Sequence, residues 1–124
     1  MSRDKILVVD DDESIRDAIE GLLDAAGLET IVYSSAEDLL AGGAVEQASC
    51  VITDIRLPKM QGLELLARLR ERGSEPPVIV ITAHDMPGLG EDVVQRGAGA
   101  YFPKPFAGTA LLAAIKRLTT GCPH

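Results

Sequence analysis

The chain has 124 residues, 46% hydrophobic and 25% charged, which suits one globular domain with a single proper core. Its net charge is −7 and no block of Lys or Arg follows a phosphate backbone, so direct nucleic-acid binding is not expected. No apolar run approaches the roughly 20 residues of a membrane span. No signal-peptide pattern precedes the first apolar run, so the expected compartment is the cytoplasm, without membrane contact.

Ile6-Leu7-Val8-Val9 is an apolar run of strand length, the kind a parallel sheet covered on both faces requires. Asp10-Asp11-Asp12-Glu13 follows at once. From Ile15 the period changes: Ile15, Ala18, Ile19, Leu22, Leu23 and Ala26 recur at helical spacing, and Gly27 stops the helix. Asp12 and Glu13 stand at its start, where the helix dipole favours negative charge. Glu29 to Tyr33 reads as a second strand. Ser34 or Ser35 can cap a short helix carrying Ala36, Leu39 and Leu40, which ends near Gly42-Gly43.

Val51-Ile52-Thr53-Asp54 is a third strand, ending on a carboxylate before Pro58 breaks the chain. Gly62 to Arg72 predicts a helix with Leu65, Leu66 and Leu69 inward. Val78-Ile79-Val80-Ile81 is a fourth strand and runs into Thr82-Ala83-His84-Asp85. Residues 86 to 97 predict a short, loosely held helix, because only Leu89, Val93 and Val94 follow Met86 as apolar residues. Ala100-Tyr101-Phe102 is a brief fifth strand before Pro103-Lys104-Pro105-Phe106. Ala110, Leu111, Ala114, Ile115 and Leu118 define the closing helix. Five strands alternating with five helices predict an α/β fold, a parallel sheet with helices on both faces. The flavodoxin-like strand order 2-1-3-4-5 is the expectation for this architecture. Cys50 is expected to be buried, and Cys122-Pro123-His124 to be a frayed tail.

In that order the ends of four neighbouring strands bring together Asp10, Asp11, Asp54, Thr82 and Lys104. Each has an ordinary reading: the aspartates and Thr82 can cap helices, and Lys104 can be a solvated loop lysine. As a set they have a common chemistry. Clustered carboxylates resist simultaneous ionisation unless a cation joins them. Mg²⁺ is held by one or two carboxylates, waters and a phosphate oxygen. An Asp so neutralised can attack phosphorus, with a Thr hydroxyl and a Lys ammonium on the phosphoryl oxygens.

Val8-Val9-Asp10-Asp11-Asp12, the Asp54…Pro58…Gly62 run, Thr82-Ala83 and Lys104-Pro105-Phe106 together resemble the receiver domain of bacterial two-component response regulators. The resemblance covers about residues 5 to 119. It implies a receiver domain over residues 1 to 121, with 122 to 124 as a tail. It implies Asp54 as phosphoacceptor from a histidine kinase or phosphotransfer protein. It further implies Asp11 and Asp54 as Mg²⁺ ligands, Asp10 acting through water, and the Arg56 backbone carbonyl as another ligand. A cis Lys104–Pro105 bond is implied as well. Such a domain is a signalling switch and not an enzyme on other molecules; it catalyses only its own phosphorylation and dephosphorylation.

Read alone, Tyr101 is a half-buried strand tyrosine. The resemblance makes it the switch aromatic that follows Thr82, with the fourth helix, fifth strand and fifth helix as the responding face and a homodimer through that face as an expectation. Thr82-Ala83-His84-Asp85, Pro87 and the Lys-Pro-Phe run are similar to receivers of nitrogen-fixation-type transcription factors, which usually continue into a DNA-binding domain. Arg56 and His84 stand two residues beyond Asp54 and Thr82, where side chains shield or admit the attacking water.

Three rivals share parts of the pattern. A haloacid-dehalogenase-like phosphatase wants an Asp two residues after its nucleophile, where this chain has Arg56. A flavin carrier wants a Ser/Thr/Gly phosphate loop after the first strand, where three aspartates stand instead. A phosphorylation-independent interaction module would not need the Asp10, Asp11, Asp54, Thr82 and Lys104 set.

Overall fold

A computed structural model describes residues 5–42, 48–55, 62–71, 76–83 and 86–120; the expected tail, 122–124, lies outside them. Ten elements alternate: β1 (Lys5–Val9), α1 (Glu13–Ala25), β2 (Glu29–Tyr33), α2 (Ala36–Ala41), β3 (Ala48–Asp54), α3 (Gly62–Glu71), β4 (Val78–Thr82), α4 (Leu89–Gln95), β5 (Ala100–Pro103) and α5 (Gly108–Thr120). The five strands form one parallel sheet in the order β2-β1-β3-β4-β5. This is the flavodoxin-like arrangement, with helices on both faces.

The period of two along each strand splits the core into two halves. Leu7, Val9, Val51, Val78 and Val80 pack against Ala36 and Leu39 of α2, Leu65, Leu66 and Leu69 of α3, and Val93 of α4. Ile6, Val8, Cys50, Ile52, Ile79 and Ile81 face the other way, onto Ile19 and Leu23 of α1 and Leu111, Ala114 and Ile115 of α5. Strands buried on both faces leave no room for polar alternation, which is why β1 and β4 are uninterrupted apolar runs. Burial pushes the Cys50 thiol up to about 12, so it remains a neutral core group.

Local chemistry fixes the helix ends. The Asp12 carboxylate accepts the Ser14 amide at 2.9 Å and caps α1, and Ser35 Oγ accepts the Asp38 amide at 3.2 Å and caps α2. At the end of α1 the Leu28 amide donates to Leu23 O and the Gly27 amide to Asp24 O, both at 3.0 Å. Gly27 has φ +84°, the left-handed geometry this terminator requires.

One expectation needs correction. Ala18 and Ala26 belong to the apolar stripe of α1, yet both are exposed, as is Ala110 of α5. Each stripe is wider than the strip of sheet it covers, and Ile19 and Leu23 or Leu111, Ala114 and Ile115 already fill that strip. Helix α4 is the short, loosely held helix expected within 86–97, and spans Leu89–Gln95. Gly88 at its N-cap supplies no side chain to hold the first turn, and Val94 is 51% exposed. Arg70 of α3 is half-buried, and its Nη2 donates to Gly97 O at 3.4 Å.

Candidate functional site

Register brings the acidic groups to one place. Val9 lies opposite Thr53 in the β1–β3 pairing, so the next residue, Asp10, is level with Asp54 at the carboxyl edge of the sheet. Asp10 shares the strand parity of Ile6 and Val8, and Asp54 that of Cys50 and Ile52, so both continue rows directed toward α1 and α5. Asp10 is fully buried, Asp54 is 7% exposed and Asp11 is exposed. One carboxylate oxygen from each of the three lies within 4.8 Å of those of the other two.

Lys104 enters from the loop after β5 and spans the two buried carboxylates. Its Nζ donates to Asp10 Oδ2 at 3.0 Å and to Asp54 Oδ2 at 3.3 Å. The loop is set by the Lys104 amide, which donates to Thr82 O at 2.6 Å, and the Lys104–Pro105 peptide is cis. Burial raises the pKa of Asp10 and the nearby Asp54 charge adds to this; the Asp12 amide and Lys104 counteract without cancelling it. Burial works against the Lys104 charge, but the hydrogen bond and charge of Asp10, joined by those of Asp54, outweigh it and raise its pKa.

Asp10 is held at every polar atom. Its amide donates to Tyr33 O at 3.2 Å, and its Oδ1 accepts the Asp12 amide at 2.9 Å. Arg16 Nη1 donates to its carbonyl at 2.8 Å. Asp54 is pressed from below by α3. The Gly62 amide donates to Ile55 O at 2.8 Å, and a Cβ on Gly62 would overlap the Asp54 carbonyl oxygen. Glycine is needed there for that approach.

Thr82 closes β4 at 1% exposure, paired with Pro103. Tyr101 is half-buried against the core half that contains Val93, and its ring lies on Gly90 of α4. Thus the Asp10, Asp11 and Asp54 carboxylates meet, and Lys104 bridges Asp10 and Asp54. Thr82 follows Ile81 (the residue opposite Asp54) at the same sheet edge, and Tyr101 lies on β5. Arg56 and His84, with the carbonyl ligand and the shielding positions assigned to them, fall outside the described residues.

Beside Lys104 a groove opens between α1 and the start of α5. Ile15, Ala18 and Leu22 form one wall, and Pro105 and Phe106 the other. Phe106 is held by Phe102, with ring centroids 5.9 Å apart. The exposed Ala18 of the α1 stripe is therefore part of the lining of this groove.

The donor set fits a hard divalent cation. It consists wholly of carboxylate oxygens, two of them buried, and an ammonium already lies between those two. Sequence reasoning missed Arg16, Gly62 as a contact residue, and Gly90. A cation in the first turn of α1, against the helix dipole, was the signal for Arg16. Gly62 is marked in the sequence only as part of the Asp54…Pro58…Gly62 run, and Gly90 gave no signal, because it is needed by a contact with Tyr101 that appears only after folding.

Comparison with known proteins shows the family and the fold. Residues 6–116 match the response regulator receiver domain family. The chain is 37% identical over 109 residues to the transcriptional regulatory protein FixJ of Azorhizobium caulinodans, covering 88% of this chain and 52% of that protein. It is 37% identical over 117 residues to the DNA-binding transcriptional regulator NtrC of Escherichia coli, covering 94% of this chain and 25% of that one. The chain thus spans about half or a quarter of these relatives. Among solved structures, FixJ-N superposes with a TM-score of 0.87 at 31% identity, covering 100% of this chain and 99% of that one. A Francisella response regulator receiver domain gives 0.90 at 26%, covering 98% and 100%. No helix among the described residues is long and apolar enough to cross a membrane. The chain belongs to the response regulator receiver domain family.

Proposed function

We propose that this receiver works as a phosphorylation-dependent switch in the cytoplasm, with Asp54 as the phosphoacceptor. The observation that carries the reading is the meeting of the Asp10, Asp11 and Asp54 carboxylates, with the Lys104 ammonium bridging Asp10 and Asp54. A histidine kinase or phosphotransfer protein would dock in the apolar groove of Ile15, Leu22 and Phe106, which opens beside Lys104. A partner helix with an apolar stripe matches such a lining.

Asp54 Oδ attacks phosphorus, a new O–P bond forms, and the P–N bond to the donor imidazole breaks with its electrons returning to nitrogen. Asp11 and Asp54, with Asp10 acting through water, would hold Mg²⁺, which would supply charge neutralisation among the carboxylates and on the phosphoryl oxygens. Lys104, already 3.3 Å from Asp54, exchanges part of its carboxylate contact for a phosphoryl oxygen. The Thr82 hydroxyl donates to another oxygen. Water later attacks phosphorus and releases inorganic phosphate, so the domain catalyses only its own phosphorylation and dephosphorylation.

Movement of Thr82 toward the phosphoryl group alters the space next to Tyr101, and the α4-β5-α5 face changes its partner preference. Helix α4 suits this: it is short, lacks a side-chain cap and exposes Val94. A homodimer through that face is part of the reading, and neither direct nucleic-acid contact nor a membrane is. Intact-protein mass after acetyl phosphate and Mg²⁺ tests it. One phosphoryl adduct that needs Mg²⁺ and is absent in Asp54→Asn is the expected result. A wild-type chain that takes no adduct overturns it.

A further inference from the structure

Arg16 occupies an unusual place. It lies in the first turn of α1, where the dipole disfavours a cation, and it is half-buried. Its Nη1 reaches back six residues to the Asp10 carbonyl at 2.8 Å. This bond closes the turn from β1 into α1, the turn that carries Asp10 and Asp11. Two further bonds lie within the same loop: the Asp12 amide on Asp10 Oδ1, and the Ser14 amide on Asp12 Oδ1. Both are short-range and join neighbours two residues apart, whereas only Arg16 among them anchors the strand end to the body of the helix. A charge-assisted bond to a carbonyl is stronger than a neutral one and restricts the peptide it holds.

We infer that Arg16 is a positioning residue for the metal site: by holding the Asp10 carbonyl it orients the Asp10 and Asp11 carboxylates and thereby raises affinity for a divalent cation. This rests on the Mg²⁺ reading under Proposed function. Charge alone predicts the opposite sign, because a guanidinium near the site repels a cation and its removal would tighten binding. Orientation predicts weakening, as for other groups that hold metal ligands in place.

The test compares wild type, Arg16→Met and Arg16→Lys by calorimetric Mg²⁺ titration, with hydrogen exchange of the Asp12 amide followed by NMR in EDTA. Met keeps the stem and good helix propensity, and Lys keeps a charge and a donor. Arg16→Met should weaken Mg²⁺ about tenfold and speed Asp12 exchange in metal-free protein, and Arg16→Lys should recover part of both. Should Arg16→Met fail to fold, the Arg16→Lys pair of measurements decides: a smaller change in the same directions supports the role, and no change overturns it. Unchanged or tighter Mg²⁺ binding by folded Arg16→Met overturns the role of Arg16 alone. A wild-type chain that binds no Mg²⁺ overturns the metal reading and this role with it.

Discussion

The ring of Tyr101 occupies the space that a side chain on Gly90 would need: a Cβ there would lie 2.9 Å from Tyr101 Cδ2 and 3.3 Å from Cε2. Helix α4 and strand β5 are thereby in contact through a glycine, and the position of the ring depends on that residue having no side chain.

Replacing glycine by alanine inside a helix ordinarily stabilises by about 1 kcal/mol. Gly21 in α1 has nothing within 4 Å of the position a methyl group would take, so Gly21→Ala should show that gain. Gly90→Ala should not, because the ring must move first. Urea denaturation of the two variants checks the difference, and the Tyr101 ring resonances should shift only in Gly90→Ala. Equal gains with unmoved resonances would count against the contact.

These two glycines also mark how far the chain could be read from sequence. Ile6–Val9 and Val78–Ile81 announced their strands because burial on both faces demands unbroken apolar runs. The meeting of Asp10, Asp54 and Lys104 was legible only once a strand order was assumed, since period and length do not determine which strands are neighbours. Ala18 and Ala26 carry the helical period yet line surface grooves, because periodicity marks a face without marking how much of it the sheet covers. Arg16, Gly62 and Gly90 act through contacts that appear only after folding.

Asp10 is a buried acid whose pKa is raised, chiefly by burial, so its ionised form is less favoured in the folded chain than in the unfolded one. As pH rises from its ordinary 3.8 through the folded value, this group removes stability. Asp10→Asn should therefore raise the melting temperature in EDTA at neutral pH by a few degrees. The gain should shrink on acidification through that window and come with weaker Mg²⁺ binding. Thermal melts across pH measure it; a variant less stable than wild type at neutral pH would contradict the assignment.

Gly62 starts α3 against the Asp54 carbonyl, and a methyl group there overlaps backbone, which cannot swing aside as a side chain can. Gly62→Ala should cost about 2 kcal/mol, the scale of an overpacked core site. It should also slow acetyl phosphate labelling of Asp54 at saturating Mg²⁺, because the strand end that carries the carboxylate is displaced. Labelling at the wild-type rate would show that the strand end absorbs the overlap elsewhere.

Lys104 gives the sharpest contrast between stability and activity. Its ammonium lies 3.0 Å from Asp10 and 3.3 Å from Asp54, and both partners are buried. Lys104→Met leaves two adjacent carboxylates in low dielectric, so at neutral pH in EDTA the fold should lose about 3 kcal/mol. That loss should shrink as the pH falls, because protonating Asp10 removes the repulsion. The raised pKa of Lys104 means that its own contribution is complete below its ordinary 10.5 and disappears as pH rises through the folded value. Wild type should therefore lose more stability in that alkaline range than the variant does. Added Mg²⁺ should restore more stability to Lys104→Met than to wild type, since the ion no longer competes with an ammonium for the same oxygens. Phosphorylation of the variant should nonetheless be slow, because no charged donor meets the phosphoryl oxygens. Denaturant titrations with and without Mg²⁺, beside a labelling time course, separate the two effects; a variant as stable as wild type in EDTA would show that the bridging ammonium contributes nothing net to the fold.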